Sequence, residues 1–520
     1  MKSFNIERNI ILLSVSIFCA VLLINSCDNH EMPRFKSFPA YEYSRLDEDG
    51  GTWDPIVLTS ANQIAVAAPA DVNSTVYQQE LASLKTVQSN LTPAQREAAN
   101  YWTNNPLIRW NEIALELAAK YNLIPGPNPD GTYTLPNPAT PEGPSPFPFA
   151  HPAYTSRALA YLSVAQFDAM ITAWKYKYQF KRMGPSQYDG SIKSVYGNSA
   201  LPAYPSDGAV IAIVSRDILK AMFPLEAAYL DERADEHISS LLWAGANVES
   251  DIEAGRQIGN AMVPIIMARA RTDGMAKAQC PKPVSDSIAQ SAVERFGWKW
   301  ENMELPKRPV GLAPLFCNVR MWNVPNLEVV RPVPPPAIGS PEFNVAVAEL
   351  KHMQDNMTDR MRKIANWWSD GLGSYTPPGH WNRFAKDFLI KYKENPLRSA
   401  RTMAYMNMAI MDAGISCWDA KYFYHYPRPI QTIPGFKTIV GTPNFPSYSS
   451  GHSTFSAAAS TVLSYVFPQE KALCEGWANE AAESRIYGGI HYRFDAEIGL
   501  TQGKAVAGYT VEKMKIDGAD

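Results

Sequence analysis

Neither sign of charge is in excess in this chain. Asp, Glu, Lys and Arg make up 19% of its 520 residues, and the formal net charge is −3. That balance gives no basic surface of the kind a nucleic-acid partner requires. No stretch alternates apolar and polar residues cleanly over the length of a strand, so a sheet is not expected. Beyond the N-terminus, no run is apolar enough to span a bilayer. Cysteine is sparse too, with 6 residues in all. What is abundant is proline, 41 residues, much of it between segments with helical periodicity. The composition is that of a helical body with long ordered connections, and the length is enough for two domains or one doubled domain.

The N-terminal run "NIILLSVSIFCAVLLI", preceded by Lys2 and Arg8, has the make-up of a secretory signal. It closes on "INSC", which resembles a bacterial lipoprotein cleavage site with Cys27 as the lipidated residue. The expectation is an exported lipoprotein on the periplasmic or cell-surface side, touching the membrane through that lipid alone. Of the remaining cysteines, Cys280 and Cys317 lie in a Pro-rich stretch and are candidates for a disulfide in an oxidising compartment.

Laid over itself with a shift of 244 positions, residues 157–274 align with 401–518 without a gap, and 33 of the 118 pairs are identical. "RALAYLSVAQFDAMITAWKYKY" lies over "RTMAYMNMAIMDAGISCWDAKY", and "LPAYPSDG" over "FPSYSSGH". Self-similarity that holds register this long is the mark of a repeated unit. Apolar and small residues recur at three- and four-residue spacing within each unit, as on a buried helix. The expected fold is therefore all-α: two related helical bundles from an internal duplication. The expected division is a signal segment with the lipobox cysteine (1–27), an N-terminal linker (28–85), a degenerate non-catalytic bundle (86–275), a Pro-rich connection (276–345) and a catalytic bundle (346–520). Cys417 and Cys474 align with Ala173 and Leu230 and read as core thiols.

The second unit carries the chemistry-bearing residues. "KYFYHYPRP" sets Lys421 seven residues before Arg428, "PSYSSGHS" supplies Ser450, Gly451 and His452 at a helix start, and "SRIYGGIHYRFD" adds Arg485, His491 and Asp495. The last two are four apart, so on one helix they share a face and the acid can orient the imidazole. Lys421, Arg428 and Arg485 would repel one another in an empty core, and an oxyanion between them removes the problem. In the first unit Lys177 and Ser206 persist, but Arg428, His452, Arg485 and His491 are replaced by Gly184, Gly208, Leu241 and Asn247. One copy is equipped and the other is not.

Lys-x6-Arg-Pro, a Ser-Gly-His turn and Ser-Arg-x5-His-x3-Asp, in that order, resemble the vanadium-dependent haloperoxidases, in the superfamily they share with type-2 phosphatidic acid phosphatases and bacterial acid phosphatases. The family turn reads Pro-Ser-Gly-His; here Ser449 stands where that Pro is usual, while Pro205 keeps it in the first unit. The resemblance implies that vanadate is the cofactor and His491 its metal ligand. Lys421, Arg428 and Arg485 would neutralise its oxygens, Ser450 and the Gly451 N–H would bond them, and His452 would be the acid–base. Trp418 and Phe445 match positions lining the family's halide pocket; they read equally well as core aromatics. Asp370, in "WWSDG", matches an acid that salt-bridges the arginine at 485. His380 reads as a loop histidine and His425 as a surface one. The partners implied are hydrogen peroxide and a halide, with a homo-oligomer left open. The motif also fits an acid phosphatase acting through a phosphohistidine at His491, with His452 protonating the leaving group.

Overall fold

The computed structural model describes residues 41–103, 105–123, 149–195, 199–304 and 307–519. The signal-like run and Cys27 lie outside the described residues. Among those described, the chain is helical and has no strand. None of its helices there is long and apolar enough to cross a membrane.

The first bundle comprises α1 (Thr75–Ser89), α2 (Pro93–Trp102), α3 (Pro106–Tyr121), α4 (Pro152–Phe180), α5 (Asp207–Met222), α6 (Ala227–Trp243) and α7 (Glu249–Thr272). After α8 (Lys282–Phe296), the second comprises α9 (Pro341–Asp355), α10 (Asp359–Trp367), α11 (Thr376–Lys391), α12 (Pro396–Tyr424), the single turn α13 (Pro429–Thr432), α14 (Gly451–Val466), α15 (Lys471–Tyr487) and α16 (Arg493–Met514). The helix boundaries follow the register read in the sequence. Helices α4 and α12 are both 29 residues long, α5 and α14 both 16, and α6 and α15 both 17.

Local chemistry sets these ends. Both α4 and α12 open with proline behind a side-chain cap, His151 accepting from the Tyr154 N–H and Asn395 from that of Arg398. Both close on a left-handed residue, Lys181 (φ 53°) and His425 (φ 50°), whose N–H returns 2.8 Å to the carbonyl of Lys177 or Lys421. The same cap thus fixes the last turn that carries each lysine. The two helices are buried nearly all round, as expected of helices that are apolar on every face, and they pack on one another. Where they meet, Asn407 Nδ2 donates to Ser163 Oγ at 3.0 Å, two residues 244 apart.

Three expectations change here. The described part of the supposed linker, from residue 41, is packed: Trp53 and Tyr77 are buried, and Asp168 accepts the N–H groups of Ile56, Val57 and Leu58 at 2.8, 2.6 and 2.8 Å. The Pro-rich connection contains α8 and straps the second bundle in the same way, Asp412 accepting from Trp322, Asn323 and Val324 at 2.7, 2.8 and 3.3 Å. Burial raises both carboxyls to about 6. Cys280 and Cys317 are free thiols, as are Cys417 and Cys474, so the disulfide is not formed.

Candidate active site

The structure gathers the three motifs at one end of the second bundle. Arg428 follows α12 and caps α13, Ser450 caps α14, Arg485 ends α15, and Asp495 sits in the first turn of α16. Ser450 holds two elements together, its side chain accepting from the Ser453 N–H while its own N–H donates to the Asp495 carbonyl at 3.0 Å. The Gly451 N–H lies in the first helical turn, where no acceptor within the helix exists. A Cβ at Gly451 would meet nothing closer than Phe455 at 3.8 Å and Trp418 at 3.9 Å.

His491 and Asp495 meet, but not by sharing a helix face. His491 precedes α16 in a turn and Asp495 reaches back to it, Oδ2 lying 2.9 Å from Nδ1. The same carboxylate accepts from Ser447 Oγ at 2.5 Å and from the Tyr492 N–H at 3.2 Å. Because Nδ1 faces a carboxylate it carries the proton, and Nε2 presents a lone pair toward the cations. That lone pair lies 3.0 Å from Arg428 Nη1. Burial, then Arg428 and Lys421, push the His491 imidazole well below its ordinary pKa, so it is neutral, the form a ligand or nucleophile needs. Ser447, 3.3 Å from Nδ1, was not singled out in the sequence; its place between motifs carries no signal of its own.

The cations are buried and short of counter-charge. Lys421 Nζ donates to the carbonyls of Pro446, Ser447 and Ser449 at 3.0, 2.9 and 2.6 Å. Arg428 donates to the carbonyls of Phe445 and Ile490, and Arg485 to those of Ala365 and Trp368. No carboxylate forms an ion pair with any of the three among the described residues. Burial lowers the Lys421 ammonium and brings both guanidiniums down to about 10. Asp495 is raised by burial in turn. Lys421 Nζ and Arg428 Cζ stand 5.0 and 5.2 Å from the centroid of the Phe445 ring, and Trp418 packs on that ring at 5.0 Å. Both aromatics therefore border the cation cluster, with Trp418 fully buried.

The first bundle shows the contrast. Lys177 pairs with Asp207 at 2.8 Å and Arg182 with Asp251, the counterpart of Asp495, at 2.5 Å. Asn247, in the place of His491, accepts from Ser206 Oγ at 2.9 Å. Gly184, Asp207, Gly208, Leu241 and Asn247 instead border a cavity of about 70 Å³. Its charges are spent internally.

Three residues stand elsewhere than expected. Asp370 pairs with His380, whose Nδ1 is 3.0 and 3.1 Å from its two oxygens, and not with Arg485, whose donors take backbone carbonyls. Asp370 also approaches His452, Oδ2 to Nε2 3.9 Å. His380 is buried within α11 and not on a loop. His425 is buried too, as the left-handed cap of α12, and its Nδ1 accepts from the Trp300 N–H at 2.9 Å. Burial, reinforced by Arg485, drives the His452 imidazole well below its usual pKa.

Residues 401–516, which hold every cation and histidine of the cluster, match the PAP2 superfamily. The second bundle contains a PAP2 superfamily domain. Over 122 residues the chain is 29% identical to the vanadium chloroperoxidase of Curvularia inaequalis, a match spanning 18% of this chain and 20% of that protein. Over 82% of this chain and 97% of the other, the fold resembles the crystal structure of the first bacterial vanadium-dependent iodoperoxidase, with a TM-score of 0.56 at 22% identity. An apo bacterial vanadium-dependent chloroperoxidase aligns with a TM-score of 0.49 at 13% identity, over 69% and 94%. The PAP2 domain thus sits in a haloperoxidase-like helical fold.

Proposed function

We propose that the second bundle is a vanadium-dependent haloperoxidase centre, oxidising a halide with hydrogen peroxide. The observation that carries the reading is the set of three buried cations, Lys421, Arg428 and Arg485, without a carboxylate ion-pair partner among the described residues, beside a neutral His491. An oxyanion with a metal centre fits that set: the cations match its oxygens and the imidazole lone pair its central atom. His491 is the residue that would bond vanadium, with Ser450 and the Gly451 N–H as donors to oxygen. Bound vanadate supplies a Lewis acid that activates peroxide without changing its own redox state. The chain supplies the rest. Asp495, steadied by Ser447, keeps the His491 proton on Nδ1. His452 handles the proton that the net reaction consumes, halide plus hydrogen peroxide plus a proton giving hypohalous acid and water. Trp418 and Phe445 border the cation cluster with apolar surface, which disfavours bulk water and suits a weakly hydrated halide.

The same geometry supports a phosphatase, and the superfamily match favours keeping that reading. Nε2 of His491 would then attack phosphorus, and His452 would protonate the leaving group. The two readings part on assay of the purified protein. Peroxide-dependent halide oxidation that requires added orthovanadate supports the first. Phosphate-ester hydrolysis inhibited by orthovanadate, with no halide oxidation, overturns it.

A further inference from the structure

His380 is the buried group of this end of the bundle that the proposed chemistry leaves unused. Its ring is 2% exposed and stacks on Trp368 at 4.5 Å with an interplanar angle of 27°; Trp367 and Phe384 close the other sides at 5.1 and 4.9 Å. Trp368 is fixed in its turn, its indole N–H donating to Glu480 at 2.9 Å and its carbonyl accepting from Arg485 at 2.6 Å. The imidazole cannot swing, and its Nδ1 meets both oxygens of Asp370. Nδ1 must therefore be a donor.

Asp370 has three cationic or basic neighbours to choose from: His380 on α11, His452 on α14 and Arg485 on α15, with Lys421 on α12 adding charge from beyond His452. Left alone, a carboxylate beside a guanidinium would take the bidentate pair. Here Arg485 instead donates to Ala365 and Trp368, and Asp370 points its second oxygen at His452. His452 Nε2 is buried and has no hydrogen-bond partner, so protonation would leave a buried cation whose nearest counter-charge is that oxygen at 3.9 Å.

We propose that His380 is a positioning residue: its Nδ1–H holds the Asp370 carboxylate on His452 and away from Arg485, so that Asp370 serves the imidazolium His452 forms when it takes a proton. The first bundle shows what such a histidine does without this role. His237 stacks on Trp102 at 4.4 Å, but its Nδ1 accepts from the Trp110 indole, it bonds no carboxylate, and glycine, Gly208, stands where His452 would be. There the histidine is core.

The role rests on the reading of His452 as the proton carrier, and the test separates the two. Imidazole resonances of His452 are titrated by NMR in the anion-free protein for wild type, Asp370→Asn, His380→Ala and His380→Asn; the Asn amide can donate from near the Nδ1 position. His452 should titrate at least about one unit lower in Asp370→Asn and His380→Ala, a unit being a tenfold change in proton affinity. His380→Asn should return it to the wild-type value. In the vanadate-loaded enzyme at saturating orthovanadate, turnover should fall on the order of 10–100-fold in His380→Ala and recover in His380→Asn. An unchanged His452 titration in His380→Ala, or no recovery of it in His380→Asn, overturns the assignment. If His380→Ala does not fold, His380→Phe, which keeps the ring on Trp368 but has no donor for Asp370, takes its place, and an unchanged His452 titration there overturns the assignment. Absence of halide oxidation by wild type, with the titration shifts as expected, would count against the proposed function and leave the positioning role standing.

Discussion

Lys177 Nζ lies 2.8 Å from an Asp207 carboxylate oxygen, and Lys421, its counterpart 244 residues on, has glycine where that acid would be. One side chain separates a lysine whose charge is paired with a carboxylate from one whose charge is not. Restoring it should close the site. Gly451→Asp meets no atom closer than 3.8 Å at its Cβ and places an acid in the first turn of α14, where the helix dipole favours it. Orthovanadate or phosphate affinity should fall more than about a hundredfold, since a close buried charge pair is worth several kcal/mol, while the melting temperature holds or rises. Retained affinity in the folded variant would show that Lys421 does not contribute to anion binding.

Ser447 gives a second prediction. Its hydroxyl is 2.5 Å from the Asp495 oxygen that also holds His491, so Ser447→Ala loosens the carboxylate without removing it. Anion affinity should drop roughly tenfold, the lower end of what losing a ligand's supporting partner costs. Ser206→Ala, at the N-cap of α5 in the first bundle, should cost stability of about 1 kcal/mol and leave anion affinity unaltered. Equal losses of affinity in both would mean that the first bundle also shapes the site.

Much of this was legible in the sequence. The 244-residue register recurs in the helix lengths, and the Lys, Arg and His motifs converge as their order suggested, because each sits at a helix end fixed by local signals: Ser450 as cap, Pro429 after Arg428, the left-handed residue after Tyr424. What escaped depends on contacts between segments distant in the chain, which leave no periodicity. The pairing of Asp370 with Arg485 came from the family resemblance, which says nothing of the backbone carbonyls that Arg485 finds at Ala365 and Trp368. His425 read as exposed because a polar residue after a helix usually is; Trp300, from the Pro-rich connection, buries it.

The pH dependence of binding follows from Lys421. Burial lowers its ammonium below the ordinary lysine value, and an anion beside it favours the charged form, so its pKa rises on binding. Where the anion-free lysine is partly deprotonated, binding must take up a proton, and affinity must fall as pH rises. Arginine stays charged across the pH range in which a buried lysine loses its proton. Calorimetry in buffers of different ionisation enthalpy should therefore show greater proton uptake for wild type than for Lys421→Arg, and a flatter pH dependence of affinity in the variant. Equal uptake in both proteins would mean that Lys421 is charged before the anion arrives.

The two histidines separate binding from proton transfer. His491 presents its Nε2 lone pair to the cation cluster and is held there by Asp495, so His491→Ala removes the one group suited to bond the central atom. The charges of Lys421, Arg428 and Arg485 remain, and weak orthovanadate binding should survive at much reduced affinity. His452 has no hydrogen bond at Nε2 and faces Asp370, which suits a group that accepts and returns a proton. His452→Ala should keep most of the affinity and lose turnover by roughly 10²–10⁴, the usual worth of a lost acid–base. Asp495→Ala should fall between, losing affinity by about 10–100-fold because it acts through His491. Titrating each anion-free variant with orthovanadate and then measuring turnover at saturation gives both quantities. Normal binding in His491→Ala with none in His452→Ala would exchange the two roles.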